Sequence, residues 1–462
     1  MIGVFPRSDA RDVAAAVEAA ARAFPAWRRT PQPARGDVLR RAALILRKRK
    51  EDLARLMTRE MGKVLVEARG DVQEAIDMAD YMAGEGRRPN GETVPSELTD
   101  KMCFAWREPI GVVGLITPWN FPVAIPSWKL FPALVAGNAI VLKPAEDTPL
   151  CAARLVEALL EAGLPPGVVN VVHGIGEEAG AALVAHQDVR AISFTGSGEV
   201  GRLVAAEAGR QLKRVSLELG GKNAIVVLDD ADLDLALDGA VWAAFGTTGQ
   251  RCTAASRMIV HQKVLGDFTE RLRARAERLE IGDGLRDGVE VGPIVNDKQL
   301  RRVHSYTEVG VAEGARLVTG GAVLDTGELA RGHFYAPTIF DGVAPGMRIA
   351  QEEIFGPTVS VIAAGSPEEA LDAANATAYG LSLSIYTRDL NRAFRAMREL
   401  QAGIVYVNAP TIGAEIQLPF GGIKGTGNGH REAGTTALEQ FSEWKSVYVD
   451  YSGRLQRAQI DS

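Results

Sequence analysis

The amino-acid sequence predicts an α/β protein built from two doubly wound parallel-sheet domains and a small β element. Short runs rich in valine and isoleucine alternate with amphipathic helical segments from about residue 111 onward. Strand, helix and strand in alternation are typical of a parallel sheet with helices on both faces. The chain has 462 residues, which is more than one hydrophobic core usually organises, so we expect more than one domain.

The first part of the chain is predicted to be helical. Between residues 8 and 85 apolar side chains recur at helical spacing, beginning with Val13 and Val17, and this period indicates amphipathic helices. Ser8 is the expected N-cap of the first helix, because its hydroxyl can accept a hydrogen bond from a free backbone N–H group. Residues 92–108 then alternate between polar and apolar, which predicts a β-hairpin.

Two series of apolar runs are predicted to form the two parallel sheets. The first series lies at 111–116, 138–143, 168–173, 189–194 and 214–219. The second series lies at 223–228, 256–261, 357–362, 381–386 and 404–409. In residues 444–452 polar and apolar side chains alternate, as in an exposed edge strand. Because exposed edge strands are usually covered or paired with a partner, we expect this segment to serve oligomerisation.

Composition and charge argue against several classes of partner. The formal net charge is -6 with no block of like charges, which gives no reason to expect nucleic acid or an anionic membrane. The longest apolar stretch, around 130–142, is interrupted by Gly137 and Asn138 and is too short to span a bilayer. The first residues lack the features of a secretory signal. We therefore expect a cytoplasmic protein that acts on a small molecule.

The cysteines and histidines do not suggest a metal site. The three cysteines, Cys103, Cys151 and Cys252, are widely spaced and the six histidines are scattered, so neither a disulfide framework nor a metal is expected. Cys103 and Cys151 lie in an apolar hairpin and a helix and are expected to be inert and buried. Cys252 differs, because it lies in GQRCTAAS among small residues that leave a thiol accessible.

A glycine-rich segment predicts a dinucleotide site. FTGSGEVG, residues 194–201, contains G-x-G-x-x-G at Gly196, Gly198 and Gly201, between a predicted strand and a predicted helix at 199–212. Backbone N–H groups at a helix N-terminus favour a pyrophosphate, as in the Rossmann fingerprint. A plain glycine-rich turn is the alternative. The fingerprint predicts a Rossmann-like, cofactor-binding first domain.

Seven segments of the chain resemble the aldehyde dehydrogenase superfamily. LELGGKN (217–223) and GQRCTA (249–254) are similar to its two signature segments, in the usual order and separation. The other segments are PWNFP (118–122), VLKPAEDTP (141–149), FTGSGEVG (194–201), EEIFGP (352–357) and PFGGIKGTGNG (419–429). The resemblance covers nearly the whole chain and implies oxidation of an aldehyde to a carboxylic acid with NAD or NADP.

The resemblance implies a catalytic role for five residues. Hydride leaves an aldehyde carbon only after a nucleophile has formed a tetrahedral alkoxide, and a cysteine thiolate suits that task. Cys252 matches the nucleophile and Glu218 the base that activates water against the thioester, a role we prefer to the ribose-binding one that the glycine fingerprint suggests for it. Asn120 matches the donor to the alkoxide oxygen, together with the Cys252 N–H. Lys129 and Glu432 resemble a proton-relay pair.

The resemblance also implies a set of cofactor-binding residues. Lys143 and Glu146 resemble the pair that binds the adenosine ribose, and Glu353 and Phe355 match residues at the nicotinamide ribose. A solvated charged loop is the alternative for each pair. The remaining members of the set are Trp119, Gly196, Ser197 and Gly201. Gly198 departs from the family, which often has a hydroxyl side chain there, but backbone binding is expected to survive. The Glu146 carboxylate would repel a 2'-phosphate, which favours NAD over NADP.

These assignments define the predicted domains. Residues 1–87 and 109–219 form the expected cofactor-binding domain, and 220–435 the catalytic domain. Residues 88–108 and 436–462 form the expected oligomerisation hairpin and C-terminal strand of a homodimer or homotetramer. Family members usually carry a further leading segment before the first helix, and its absence is expected to weaken subunit contacts.

The substrate is predicted less directly. The stretch from Gly425 onward is similar to bacterial semialdehyde dehydrogenases that act on 2-oxoglutarate semialdehyde. This similarity favours a carboxylated aldehyde whose distal carboxylate pairs with Arg251 or with another arginine. The helix near Trp128, the residues flanking Cys252 and the segment 408–417 are expected to line the aldehyde tunnel. Two alternatives stay open: an enzyme that passes the acyl group to coenzyme A, and a catalytically silent cofactor-binding or structural relative.

Overall fold

The computed structural model describes residues 2–88 and 90–460. Four helices open the chain, which confirms the predicted helical start. The helices are α1 (Ala10–Arg29), α2 (Gln32–Lys48), α3 (Lys50–Met61), α4 (Leu65–Glu85), α5 (Ala124–Ala136), α6 (Pro149–Glu161), α7 (Ala181–Ala185), α8 (Gly198–Arg210), α9 (Leu233–Phe245), α10 (Leu265–Ala276), α11 (Asp297–Ala312), α12 (Arg348–Gln351), α13 (Pro367–Asn375), α14 (Leu390–Glu399) and α15 (Ala437–Gln440).

The strands form two large sheets and three small ones. They are β1 (Gly91–Val94), β2 (Lys101–Pro109), β3 (Val112–Ile116), β4 (Ala139–Lys143), β5 (Val169–Val171), β6 (Val189–Thr195), β7 (Arg214–Glu218), β8 (Asn223–Val227), β9 (Ala255–His261), β10 (Arg316–Thr319), β11 (Val323–Leu324), β12 (Phe334–Tyr335), β13 (Thr338–Asp341), β14 (Thr358–Ala364), β15 (Tyr379–Gly380), β16 (Ser382–Tyr386), β17 (Ile404–Val407), β18 (Ile423–Lys424) and β19 (Ser442–Asp450).

The first large sheet is parallel throughout and covered on both faces. Its strand order is β5-β4-β3-β6-β7, and each neighbouring pair is parallel. Val113 and Leu115 of β3 pack in one core with α2, α4 and α5, while Val112 packs on the opposite face with α1 and α8. Successive strand residues face opposite sides of a sheet, so every residue of β3 is buried. This arrangement confirms the predicted doubly wound sheet.

The second large sheet has more strands than the sequence suggested. Its order is β10-β13-β14-β9-β8-β16-β17, and all neighbours are parallel except β10 and β13. The sequence predicted the parallel part of this sheet and missed the antiparallel strand at its edge. Gly320 and Gly321 both adopt positive φ directly after β10 and turn the chain there, so that it returns antiparallel. β10 and β13 escaped prediction because four residues each give too few alternations to show a period.

The third sheet joins the two segments predicted for oligomerisation. β1 and β2 form the predicted hairpin, and β19 pairs with β2 antiparallel from Ser442 opposite Pro109 to Asp450 opposite Lys101. β19 is the edge strand, with Trp444 53% exposed. The predicted domain boundaries remain predictions. Their outermost residues, Met1 and 461–462, and Pro89 in the hairpin segment lie outside the described residues.

The first helix begins one residue later than predicted. Ser8 is not its N-cap, because the Ser8 backbone N–H donates to the His173 carbonyl and keeps the chain extended there. Asp9 caps α1 instead, and its carboxylate accepts from the N–H groups of Arg11 and Asp12 in a capping box. Within the described ranges, no helix combines the length and apolarity that crossing a membrane requires.

The connection between the two large sheets places the site. β7 ends at Glu218 and β8 begins at Asn223, so residues 219–222 cross from one sheet to the other. Cys252 lies just before β9, the neighbour of β8 in the second sheet. The carboxyl end of a strand in the first sheet and a loop of the second sheet therefore meet. A crevice beyond the carboxyl ends of strands is where ligands bind in open α/β sheets.

Candidate active site

The loop before Cys252 is strained and held from helix α4. Thr247 and Thr248 have φ values of 50° and 58°, in a left-handed region that costs an L residue about 1–2 kcal/mol. Glu67 of α4 accepts from the Thr247 N–H at 2.8 and 2.9 Å and from the Thr247 hydroxyl at 3.0 Å. These bonds offset the strain and fix the turn that leads to the cysteine.

Asn223 fastens the other side of the cysteine loop. Its Nδ2 donates to the carbonyl oxygens of Cys252 at 2.7 Å and Ala254 at 2.9 Å. A Cβ added at Gly221 would lie 2.7 Å from the Cys252 carbonyl oxygen, so only glycine allows this approach. The segments LELGGKN and GQRCTA are thus bound to each other. Sequence reasoning did not single out Asn223, although it stands in one of the quoted segments.

The Cys252 thiol differs from the other cysteines in its exposure. Cys103 and Cys151 are buried, as expected, whereas Cys252 is half-buried. Burial of the thiol, followed by the nearby charges of Glu353 and Glu218, raises the pKa of Cys252 to about 12. The cysteine is therefore a thiol at neutral pH, and a base has to remove its proton before it attacks.

Glu218 is a buried carboxyl without hydrogen bonds of ordinary geometry. Neither of its oxygens has such a partner within residues 2–88 and 90–460. Burial, followed by the charge of Glu432, raises the pKa of Glu218 well above its usual range. A Cβ added at Gly421 would lie 2.6 Å from Glu218 Oε1, which explains a glycine there. A raised pKa makes the ionised carboxylate a stronger base, as water activation requires.

Asn120 lies against the cysteine loop. The residue is buried, and its Nδ2 donates to the Gln250 carbonyl oxygen at 3.0 Å. That carbonyl is two residues from Cys252, so the amide is anchored beside the thiol. An amide nitrogen carries two hydrogens, and this bond uses one of them.

Lys129 and Glu432 form a buried ion pair, as their predicted partnership requires. The Lys129 ammonium donates to Glu432 Oε1 and also to the Ser193 hydroxyl at 2.8 Å. The Glu432 carboxylate raises the pKa of Glu218, which places the pair within electrostatic reach of the predicted base.

One cavity brings together three of the five predicted catalytic residues, while Asn120 and Lys129 are not part of its lining. Its walls include Cys252, Glu218 and Glu432. Trp128 and Phe420 also line it, and the centroids of their rings lie 5.1 Å apart in an edge-on contact. The complete lining is Glu74, Phe121, Ile125, Trp128, Thr195, Glu218, Leu219, Arg251, Cys252, Thr253, Leu381, Gly413, Ala414, Phe420 and Glu432. It draws on all three segments predicted for the aldehyde tunnel.

Arg251 lies in the cavity wall but is already paired. Its Nη2 donates to Glu67 at 3.0 Å and its Nε donates to the Thr247 hydroxyl at 2.9 Å. The Glu67 carboxylate offsets much of its charge. Sequence reasoning gave Arg251 to the substrate alone and missed Glu67, which looks like an ordinary solvated acid on a helix.

The glycine-rich turn has the form that a pyrophosphate requires. β6 ends at Thr195 and α8 begins at Gly198, with Ser197 as the N-cap whose hydroxyl accepts from the Val200 N–H at 3.3 Å. A Cβ added at Gly201 would lie 2.4 Å from a Leu219 methyl, so this glycine allows close packing of the helix on the neighbouring chain. That is the role of the third glycine in the dinucleotide fingerprint.

The predicted ribose-binding residues fall into two places. The Lys143 ammonium donates to Glu146 at 3.1 Å and to the Pro144 carbonyl at 2.7 Å, with Glu146 half exposed. This pair lies at the end of β4 and takes no part in the Cys252 cavity. An exposed carboxylate beside a buried ammonium fits recognition of ribose hydroxyls.

The second group of predicted ribose-binding residues lies near Cys252 and consists of Glu353, Phe355 and Trp119. Glu353 Oε1 accepts from the Gly221 N–H at 2.9 Å, and burial raises the pKa of Glu353. Phe355 has a left-handed backbone, with φ of 60°, and its ring meets Trp119 edge-on at 5.5 Å. Gln299 Nε2 holds the strained turn by donating to the Phe355 carbonyl at 2.9 Å. These contacts fit residues that hold a nicotinamide ribose near the thiol.

Comparison with known proteins agrees with this geometry. A model described as the aldehyde dehydrogenase family matches residues 1–447. The chain is 44% identical over 449 residues to the alpha-ketoglutaric semialdehyde dehydrogenase of Bacillus subtilis (strain 168), covering 97% of this chain and 92% of that protein. It is 40% identical over 448 residues to the NADP(+) succinate-semialdehyde dehydrogenase of Escherichia coli (strain K12), covering 97% and 92%.

A solved structure extends the similarity to the fold. Betaine aldehyde dehydrogenase from Staphylococcus aureus in complex with NAD+ superposes with a TM-score of 0.95, at 35% identity, covering 97% of this chain and 89% of that chain. This likeness confirms the predicted α/β fold, and the family match confirms the predicted activity and cofactor class. The chain oxidises an aldehyde with NAD or NADP as its cofactor, and it belongs to the aldehyde dehydrogenase family.

Proposed function

We propose that this enzyme oxidises a carboxylated semialdehyde to the free acid, with Cys252 as nucleophile, Glu218 as general base and Asn120 as oxyanion donor. The observation that carries the catalytic assignment is the shared cavity of Cys252 and Glu218, with the Asn120 amide anchored two residues from the thiol. A nucleophile and a base in one cavity, with an amide donor on the loop that carries the nucleophile, are the parts that acyl chemistry through a thioester needs.

The first step forms the carbon–sulfur bond. The Cys252 proton passes through water to the Glu432–Lys129 pair, and the sulfur then adds to the aldehyde carbon. The carbonyl electron pair moves to the oxygen, and the resulting alkoxide accepts from the second N–H of the Asn120 amide and from the Cys252 backbone N–H. Preorganised donors in a buried site stabilise this charge more than water does.

The second step leaves a thioester on Cys252. A nicotinamide cofactor held at this site would supply the acceptor for the hydride that leaves as the carbonyl re-forms. Glu353, Phe355 and Trp119 would orient its nicotinamide ribose near the thiol, Lys143 and Glu146 would hold its adenosine ribose, and the Gly196–Gly201 turn would bind its pyrophosphate.

Hydrolysis completes the reaction. Glu218 takes a proton from water as the water oxygen attacks the thioester carbon, and the bond to Cys252 sulfur breaks to release the carboxylic acid. Transfer of the acyl group to coenzyme A would need no such base, so Glu218 favours the free acid. None of the relatives described above is named as an acylating enzyme.

Asn120→Ala is expected to lower kcat about 100-fold, because loss of one oxyanion donor costs on the order of that factor. Steady-state kinetics at saturating cofactor would measure it. Asn170→Ala, which removes an amide bonded to backbone carbonyls in the first sheet, is the matched control and should leave kcat within about twofold. Equal losses in both variants would contradict the donor role.

A carboxylated semialdehyde is the substrate class that we favour. The relatives from Bacillus subtilis and Escherichia coli are named for semialdehydes of this kind. The guanidinium of Arg251, although Glu67 offsets much of its charge, places N–H donors in the cavity wall. Comparison of kcat/KM for succinic semialdehyde and for butanal at pH 7 tests the proposal. We expect the carboxylated aldehyde to be preferred, and a preference for butanal would remove this part of the proposal.

We also propose that NAD is preferred to NADP. Glu146 is half exposed next to Lys143, and a carboxylate there repels a 2'-phosphate. Glu146→Gln is expected to raise kcat/KM for NADP relative to NAD about fivefold, because two like charges about 4 Å apart repel by about 1 kcal/mol where water surrounds them. Asp147→Asn is the control, because Asp147 is tied to Asn296 at 3.1 Å. An unchanged coenzyme ratio in the Glu146 variant would contradict the assignment.

The assembly and the location complete the proposal. A homodimer or homotetramer formed through the β1-β2-β19 sheet is supported by the exposed aromatic side chains of the β19 edge, Trp444 and Tyr448. A cytoplasmic location stays a prediction from the sequence. Light scattering of the purified enzyme measures the oligomeric state directly.

A further inference from the structure

A fully buried ion pair lies behind the active site. The Lys63 ammonium, on the loop of residues 62–64 between α3 and α4, donates to Asp71 Oδ2 of α4 at 2.8 Å, and neither side chain is exposed. Charges buried this deeply need a partner. Apolar residues of similar volume nevertheless replace such a pair in many proteins without loss of stability, so stability alone does not account for it.

The ammonium of the pair lies on the aromatic residue next to the proposed oxyanion donor. Lys63 Nζ is 3.6 Å from the ring centroid of Phe121, where the face of the ring attracts a cation. Phe121 lines the Cys252 cavity and directly follows Asn120 in the chain. Because Lys63 is not part of the cavity lining, it holds the ring from outside the cavity and limits movement of the backbone at Asn120.

The carboxylate of the pair caps the helix that follows Asn120. Asp71 Oδ1 accepts from the N–H of Ala124, the first residue of α5, at 2.7 Å. Val123, at the N-cap position, offers no side-chain hydrogen bond, and a carboxylate at a helix N-terminus is stabilised by the helix dipole. The ion pair therefore holds the short segment from Phe121 to Ala124 at both ends.

The loop of residues 62–64 also supports the other partner of the Asn120 hydrogen bond. Asn120 donates to the Gln250 carbonyl, and the Gln250 side-chain amide donates to the Pro293 carbonyl at 3.4 Å. A Cβ added at Gly62 would lie 2.4 Å from the Pro293 ring, so the loop packs closely on this residue. The amide of Asn120 and its carbonyl acceptor are thus both held from the same loop.

We propose that Lys63 and Asp71 are positioning residues for Asn120, which keep its second amide N–H directed at the alkoxide without touching the substrate. This inference rests on the proposed role of Asn120 as oxyanion donor. A displacement of about 1 Å in such a group can lower the rate about 100-fold. Loosening the pair should therefore lower kcat without weakening the binding of the aldehyde.

The test is a double-mutant cycle between the ion pair and Asn120. Lys63→Met and Asp71→Asn are introduced together, because removing one charge alone would leave the other buried and unpaired. In the wild-type background we expect kcat and kcat/KM for succinic semialdehyde to fall together about tenfold, with KM unchanged. In the Asn120→Ala background the further loss should be less than about twofold, because the amide that the pair positions is already absent.

Arg69→Met with Glu51→Gln is the matched control. This exposed ion pair joins the same two helices, α3 and α4, at 2.7 Å, and exposed pairs contribute little. Its removal should leave kcat within about twofold in both backgrounds.

Equal losses in the two backgrounds would overturn the inference, because they would show a general effect on the fold, and so would an unchanged kcat in the wild-type background. If thermal unfolding shows that the double replacement does not fold, Asp71→Asn alone, which keeps the shape and one oxygen acceptor, enters the same cycle with the same two outcomes. Wild-type kcat in Asn120→Ala alone would instead refute the donor role, so the two failures are distinguishable.

Discussion

Cys252→Ala is expected to lower kcat for aldehyde oxidation at least about 1000-fold, the scale seen when a catalytic nucleophile is removed. Without the sulfur no tetrahedral alkoxide forms on the enzyme, and hydride has no route from the aldehyde carbon. The half-buried position of Cys252 makes the loss of one sulfur atom a small change in packing. Steady-state reduction of NAD with succinic semialdehyde, together with thermal unfolding of the variant, would measure both effects.

Cys151→Ala is the matched control for that experiment. Cys151 is buried in helix α6, and burial raises the pKa of its thiol well above the usual range, so it is not a nucleophile. Its replacement should leave kcat within about twofold. Rates in Cys252→Ala that match those of the control would contradict the thioester mechanism.

Glu218→Gln is expected to separate the two halves of the reaction. An amide cannot take a proton from water, so hydrolysis of the thioester should slow and kcat should fall about 100-fold to 10,000-fold. Hydride transfer does not need that base once the thiolate has formed. We therefore expect a burst of reduced nicotinamide close to one equivalent per Cys252, followed by a slow steady state.

Mass spectrometry of the quenched enzyme is the direct readout for Glu218→Gln. The acyl group should appear as added mass on the peptide that contains Cys252. Glu207→Gln, at a half-buried carboxylate on α8 that pairs with Arg210, is the control and should show no accumulation. A steady state as fast as the wild type, or no burst and no acyl adduct, would contradict the assignment of Glu218 as the hydrolytic base.

Much of the chemistry could be predicted because it depends on residue type within short segments. Cys252 among small residues and Glu218 before two glycines are local patterns, and the glycine turn at 196–201 has a local backbone requirement. The parallel sheets were predictable for the same reason, since buried strands read as continuous apolar runs. The antiparallel edge at β10 was not, because it depends on the glycine turn at 320–321 rather than on the strand itself.

The supporting contacts could not be predicted, because they join distant parts of the chain. Asn223 reaches Cys252 across 29 positions and Glu67 reaches Thr247 across 180. In the sequence, Glu67 and Glu74 look like the solvated acids of an amphipathic helix. Only tertiary packing shows that Glu67 binds the cysteine loop and that Glu74 lines the cavity. The prediction of Ser8 as the N-cap of α1 was wrong for the same reason. The Ser8 backbone N–H donates to the distant His173 carbonyl, and Asp9 caps the helix instead.

Helix α4 divides the site into fixed and variable parts. Two of its acids, Glu67 and Asp71, hold the cysteine turn and the start of α5, so exchanging either disturbs the reactive centre. The third acid, Glu74, has no structural contact of this kind and is free to change. Among the three acids, Glu74 is therefore the one at which an exchange reaches the cavity wall without breaking a contact that the cysteine turn or α5 depends on.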